Sequence, residues 1–366
     1  MRISRRCFLA SVATLATAAE TTNRGRTFPT AAIRYLDPAT ESAIVRLTDP
    51  NFNAYLPLPK NRAAAKTILY ASDFNGKWDA YRMDLKSGES RQLTDAAALD
   101  VSSLGFLPGE RGFWHIDKGV FIESLFGRGQ SLKTREIYRI AAGFEKTAEI
   151  SYGDEGQYAA FVEKSAGPGT RYRLQVVRIT NGQARTVVES SEEIVDVLLR
   201  PKHTSVSYRI GNRTSLVNFD GTGGRQLSLA DGEIGQAQWV ADGHALLYLN
   251  RPPDPKQLTG LREHDPESGV DTRVAGTSQY VHFHGNPDGS MFVGASGSKA
   301  SPYVLLLSRA GKREFTLAEH RAGNASLVAP VFTANSQAIL FLSDRHGKPA
   351  IYYMPVDKLV SETDGS

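Results

Sequence analysis

The most pointed chemical feature of the sequence is a pair of histidines two residues apart, His282-Phe283-His284. In a strand, residues two apart face the same side. Both imidazoles would then converge on one point, where they suit an ion such as manganese or zinc. The spacing itself supplies no third ligand. His115, His203, His244, His264, His320 and His346 sit singly in turns or strands, where a solvated or hydrogen-bonded ring is the ordinary case. No Gly-x-Ser-x-Gly elbow is present, which argues against a serine peptidase fronted by a β domain. No phosphate-cradling glycine-rich loop precedes a helix. Trp78, Trp114 and Trp239 are available to stack on sugar rings, although core packing is the commoner role for each.

The elements that must position these groups recur along the chain. Short apolar cores follow one another, and Tyr70, Trp114, Phe161, Tyr208, Tyr248, Val293 and Phe341 mark them at intervals of 44, 47, 47, 40, 45 and 48 residues. That period is the length of a four-stranded propeller blade. Turns precede the cores, as in Tyr152-Gly153-Asp154-Glu155-Gly156, Val240-Ala241-Asp242-Gly243 and Asn286-Pro287-Asp288-Gly289. Asp-Gly supplies the positive φ that a tight β-turn needs. Short alternating strands bounded by turns, with no long helical period, give an all-β chain. The expectation is a seven-bladed β-propeller over residues 33–358. The last unit stops after about two strands, and Ile33 to Thr48 holds one or two strands with no core of their own. Pairing these ends in one blade closes the ring and removes exposed edges. The competing architecture, a sandwich plus a second β domain, needs a linker that the repeat does not show.

Arg2, Arg5 and Arg6 precede an apolar run from Phe8 to Ala16, and Ala16 and Ala18 complete an A-x-A pattern. Residues 1–18 therefore read as a signal peptide. Within them Ser4-Arg5-Arg6-Cys7-Phe8-Leu9 looks like a twin-arginine motif, an address read by the export machinery. Residues 19–32 read as a short linker and 359–366 as a disordered tail. The expected location is periplasmic or secreted. The formal net charge of +4 includes the three signal arginines and falls to +1 without them, so a nucleic-acid partner is not expected. The single cysteine, Cys7, lies before the apolar run, which gives no lipid anchor and leaves the remainder without a thiol. No later stretch is apolar and long enough to span a bilayer, so no stable membrane anchor is expected.

Several segments resemble a known family. Ala71-Ser72-Asp73-Phe74-Asn75-Gly76-Lys77-Trp78, Leu216-Val217-Asn218-Phe219-Asp220-Gly221, Trp239-Val240-Ala241-Asp242-Gly243, His282 to Gly294 and Phe341 to Tyr352 are together similar to oligogalacturonate lyases. The repeat style resembles TolB-like propellers. The resemblance implies a seven-bladed propeller acting on oligogalacturonides, short anionic pectin fragments, by β-elimination. It also implies a histidine base, with a manganese ion and an arginine meeting the enolate-like charge. That division of labour is sound, because a proton α to a carboxylate is too weakly acidic for a base alone.

Carried over by position, His282 falls on a metal-binding histidine and Arg213 on the substrate-binding arginine. Asn324-Ala325-Ser326-Leu327-Val328-Ala329-Pro330 falls where the resemblance implies a glutamine and two further histidines. Asn324 retains a coordinating oxygen, whereas Leu327 and Ala329 have none. The segment of the base reads Gln236-Ala237-Gln238, and an amide does not titrate near neutrality. His282, His284 and Asn324 form the candidate metal set. The sequence thus supports a propeller that acts on or binds oligogalacturonides. A non-catalytic binding or scaffold propeller is the rival reading, and a different sugar-active enzyme is a third.

Overall fold

A computed structural model describes residues 24–57, 66–128, 131–167 and 169–357. The expected signal peptide, residues 1–18, and the expected tail, residues 359–366, lie outside the described residues. Seven antiparallel sheets follow one another along the chain, each with its first strand at one edge. The first strands of sheets 2 to 7 meet side by side, sheet 1 meets sheet 2 through Thr67–Ser72, and sheet 7 returns to sheet 1 through Ala350–Pro355. This is the expected seven-bladed propeller.

The inner strands are Ala54–Tyr55, Leu99–Phe106, Phe144–Tyr152, Ile194–Leu199, Glu233–Trp239, Tyr280–Gly285 and Val331–Phe332, for blades 1 to 7 in that order. Each of the seven repeat markers falls on the second strand of its blade. Those second strands are the packing core. Thr67–Ser72, Met291–Ser296 and Ala338–Ser343 are buried at every position. A strand covered on both faces reads as a continuous apolar run rather than an alternating one. Between blades 6 and 7, Val293, Leu306, Phe332, Phe341 and Tyr352 form one apolar cluster.

Blade 7 closes the ring. Val331–Phe332, Ala338–Ser343 and Ala350–Pro355 come from the end of the chain, and Ala43–Arg46 and Ile33–Leu36 from its beginning. Val45 pairs with Tyr353 and Arg46 with Tyr352. A buried ion pair locks the seam. The Arg345 guanidinium lies 3.1 Å from the Asp37 carboxylate, with side-chain exposures of 4% and 0%. Arg345 also donates to the Glu319 carbonyl at 2.8 Å.

One boundary differs from the sequence reading. Within the expected linker 19–32, Thr27–Phe28 forms a fifth strand on blade 1, with Thr27 opposite Arg91 and Phe28 opposite Ser90. Phe28 packs edge-on against Phe74 at 4.9 Å, and this aromatic contact fixes a segment that is too short to show a strand pattern. Among the described residues no helix is long and apolar enough to cross a membrane.

Candidate functional site

The inner strands depart from the regular ladder where the second strands do not. Register shifts break the pairing of the inner strand in blades 2 to 6. Ala148, Asp196 and Gln279 take positive φ at or beside three of these breaks. A bulge inserts an extra residue and re-aims side chains, which is why bulges gather at functional rims. Here they turn polar groups toward the ring's axis.

Tyr55 of blade 1 donates to Glu149 of blade 3 at 3.3 Å. Lys146 reaches Asp100 at 3.0 Å and the Ser102 hydroxyl at 2.8 Å. The axis is therefore crowded on the side of blades 1 to 3. On the side of blades 3 to 7 it opens into a cavity of about 870 Å³, well within the range of small-ligand sites.

Three histidines line this cavity: His244, His282 and His284. The expectation that His282 and His284 share a face holds, with Phe283 between them buried in the core. The His284 Nδ1 accepts the Phe332 backbone N–H at 3.2 Å. Its proton then sits on Nε2, which leaves this ring a donor. Gln236 and Gln238 lie on the neighbouring inner strand and also face the cavity. Gln236 Oε1 accepts from the Phe283 N–H at 2.7 Å, and Gln238 Oε1 from the Gly285 N–H at 3.3 Å. The two amides thus stitch the inner strands of blades 5 and 6 together.

His244 is an exposed, hydrogen-bonded turn histidine, and it also lines the cavity. Its Nδ1 lies 2.5 Å from Asp242, and its Nε2 lies 3.7 Å from Glu263. The hydrogen bond from His244 holds the Asp242 carboxyl below its usual range. Glu263 is in turn paired with Arg309 of blade 6. The turn can make this approach because Gly243, at φ 75°, passes directly over the Pro201 carbonyl, where any Cβ would clash.

Six carboxylates line the cavity, Glu149, Asp154, Asp196, Asp242, Glu263 and Asp288, against the single guanidinium of Arg309. Asp196 is paired with Arg209 at 2.7 Å. These acids escaped the sequence reading because Asp154, Asp242 and Asp288 occupy turn positions, where aspartate is expected for backbone reasons. The recurrence of these turns just after the inner strands of blades 3, 5 and 6 is the available signal.

Arg213 does not join the site. It opens the strand Arg213–Asn218, has a side-chain exposure of 62% and faces Glu192 at 3.6 Å. The hairpin before it spans only Gly211 and Asn212, which keeps Arg213 outside the cavity lining. Asn324 is also elsewhere. It is exposed, and its side-chain oxygen accepts the Ser326 N–H at 3.0 Å, capping a single turn, Ala325–Leu327. Leu327 is 56% exposed and Ala329 is buried, and neither carries a ligand atom. Among the described residues no three histidine, cysteine or carboxylate groups come together as a metal site. With Asn324 outside the cavity and the Gln236 and Gln238 oxygens engaged, the expected His282/His284/Asn324 set does not fit a manganese ion.

The other histidines serve the frame. His115 stacks on Phe113 at 5.2 Å, and burial pushes its pKa down to about 4. His320 spans the Ser296 carbonyl and the Ala322 N–H, both at 3.0 Å. His346 meets the Tyr352 hydroxyl at 2.8 Å. Burial lowers the pKa of His203 and of His264. The tryptophans pack as expected. Trp114 stacks on Tyr152 at 4.6 Å, Trp239 donates to the Ser207 hydroxyl at 3.0 Å, and Trp78 packs against the blade 1 core.

No family model matches the chain. An oligogalacturonide lyase of Pectobacterium atrosepticum is 24% identical over 387 aligned positions, spanning 91% of this chain and 98% of that protein. An oligogalacturonate lyase of Dickeya dadantii is 22% identical over 382 positions, spanning 88% and 95%. Among solved structures, an oligogalacturonate lyase in complex with manganese superposes with a TM-score of 0.84 at 20% identity, covering 91% of this chain and 98% of that one. The oligogalacturonate lyase of Vibrio parahaemolyticus gives 0.82 at 21%, with the same coverage. The chain is similar to oligogalacturonate lyases over most of its length. The likeness to solved structures fixes the fold; the chemistry rests on the residues of the cavity.

Proposed function

We propose that this chain is an exported propeller that binds oligosaccharide fragments of the oligogalacturonide kind in its central cavity. We further propose that it does not cleave them by the route implied for the lyases it resembles. The observation that carries this is the pair Gln236 and Gln238. They stand where the base is implied, cannot titrate, and spend their oxygens on the backbone of the adjacent inner strand. The position is thus rebuilt as structure. Arg213 outside the cavity and the unfitted metal set support the same reading.

The cavity's charge refines the ligand. Asp196 is held on Arg209 and Glu263 on Arg309, but acids still outnumber guanidinium groups around the cavity, so a fully ionised uronide meets repulsion, whereas its methyl-esterified form does not. Donors and acceptors remain for its hydroxyls. The sequence of residues 1–18 supports delivery by the twin-arginine machinery to the periplasm or the exterior, where such fragments would be met.

The test is two measurements on one preparation. Calorimetry with esterified oligogalacturonides is expected to show binding that falls at least about tenfold in Gln236→Leu, where hydrogen bonds and the strand stitch are both lost. Ultraviolet absorbance, with and without manganese, is expected to stay flat. A rising signal from a new conjugated double bond, abolished in His282→Ala, would overturn the non-lyase reading.

A further inference from the structure

A second opening of about 690 Å³ lies between blades 4 and 5, lined by Asp196, Arg209, Asn212, Glu233 and Gln236 among others. Asp196 and Gln236 line both this opening and the central cavity. These two residues therefore lie between the two spaces. Their positions on the strands differ systematically. Asn212, Gly232 and Glu233 stand where the inner strand Glu233–Trp239 begins, and Asp242 and His244 lie in the turn after it ends. Seven extended residues carry the chain about 20 Å from one end to the other. The two openings thus lie toward opposite ends of this strand, with Gln236 and Asp196 between them.

Each mouth is furnished with groups suited to hydroxyls. At the far mouth the Asp242–His244–Glu263–Arg309 array alternates acceptors and donors within reach of one another. At the near mouth stand two ion pairs, Glu233 with Arg251 and Arg209 with Asp196. A single small ligand occupies one space of several hundred Å³. Two such spaces in line suit a linear molecule of repeated units.

We infer that the two spaces act as one passage that threads a linear, weakly charged oligosaccharide through the ring, with one end at Glu233 and the other at His244. This rests on the saccharide-binding reading above and adds length as the property selected. The junction holds the middle of the chain, and the mouths hold its ends.

Calorimetry with methyl-esterified oligogalacturonides of two to eight units tests it. Affinity is expected to climb with each added unit and level off once both mouths are reached. His244→Ala and Glu233→Ala, both at exposed side chains, are each expected to reduce the ratio of octamer to dimer affinity by about fivefold. Their effects on the octamer should multiply, since the sites are far apart and share no partner. Equal affinity for dimer and octamer, or variants that weaken both alike, would overturn threading and leave a single pocket. No binding at any length would remove the saccharide reading itself, and the inference with it.

Discussion

The second strands and the inner strands of the same blades obey different rules. Thr67–Ser72, Met291–Ser296 and Ala338–Ser343 are unbroken in register and buried throughout. The inner strands of blades 2 to 6 carry register shifts, and at or beside some of these stand left-handed residues and carboxylates that line the cavity. Packing between blades constrains the first set at every position, because a face-to-face sheet core tolerates little change in volume. The inner strands send only part of their side chains, such as Phe283 and Trp239, into these cores and turn others toward the channel. Chemistry can be exchanged there without disturbing the ring. This is how a chain similar to lyases over its whole fold can present glutamines where a base is implied.

The comparison breaks most visibly if the packing side is opened. Phe341→Ala removes a fully buried ring stacked on Tyr352 at 5.3 Å. It should cost about 3–5 kcal/mol, seen as a lower denaturation midpoint. Arg345→Ala leaves the Asp37 carboxylate buried and unpaired, and about 3 kcal/mol of stability should be lost in the same measurement.

Acid titration reports on the frame through His115. The unfolded His115 binds its proton near pH 6.5, but the folded one does so only near 4. In that window the unfolded state holds more protons, so stability should fall as pH drops from about 6.5 toward 4. His115→Phe is expected to flatten this slope.

On the channel side the effects are smaller and concern the ligand. Raising salt should strengthen binding of free-acid oligogalacturonides by about two- to fivefold through screening of the carboxylates, and leave the esterified series unchanged. The smallest effect belongs to Arg213→Ala. With its side chain exposed and Glu192 at 3.6 Å, it should change stability by well under about 1 kcal/mol. It should leave binding as it was.

The fold was legible because its signals repeat: a marker on every second strand, a turn before it, and two end segments that lacked a core until joined. Thr27–Phe28 was not legible, since two residues carry no period and their place depends on Phe74. In the site, the shared face of His282 and His284 followed from strand geometry alone. The exclusion of Arg213 depended on a two-residue hairpin at Gly211-Asn212, and that of Asn324 on a local cap. Neither leaves a trace in spacing. The Asp242–His244–Glu263–Arg309 array joins two blades and positions up to 67 residues apart, so no local pattern announces it.

The closure of blade 7 also has a kinetic side. Asp37 and Arg345 meet across 308 positions of sequence, so the seam can form only when almost the whole chain is available. Long-range contacts of this kind slow folding, because loop-closure entropy is spent before the contact rewards it. Until then Ile33–Leu36 and Ala43–Arg46 have no sheet to join, and the open ring shows two unpaired edges, which are sites for pairing with other chains. The last strand therefore acts as a timer as well as a clasp. A chain stopped short of Ala350 should accumulate as an aggregating species, even though six complete blades precede the break.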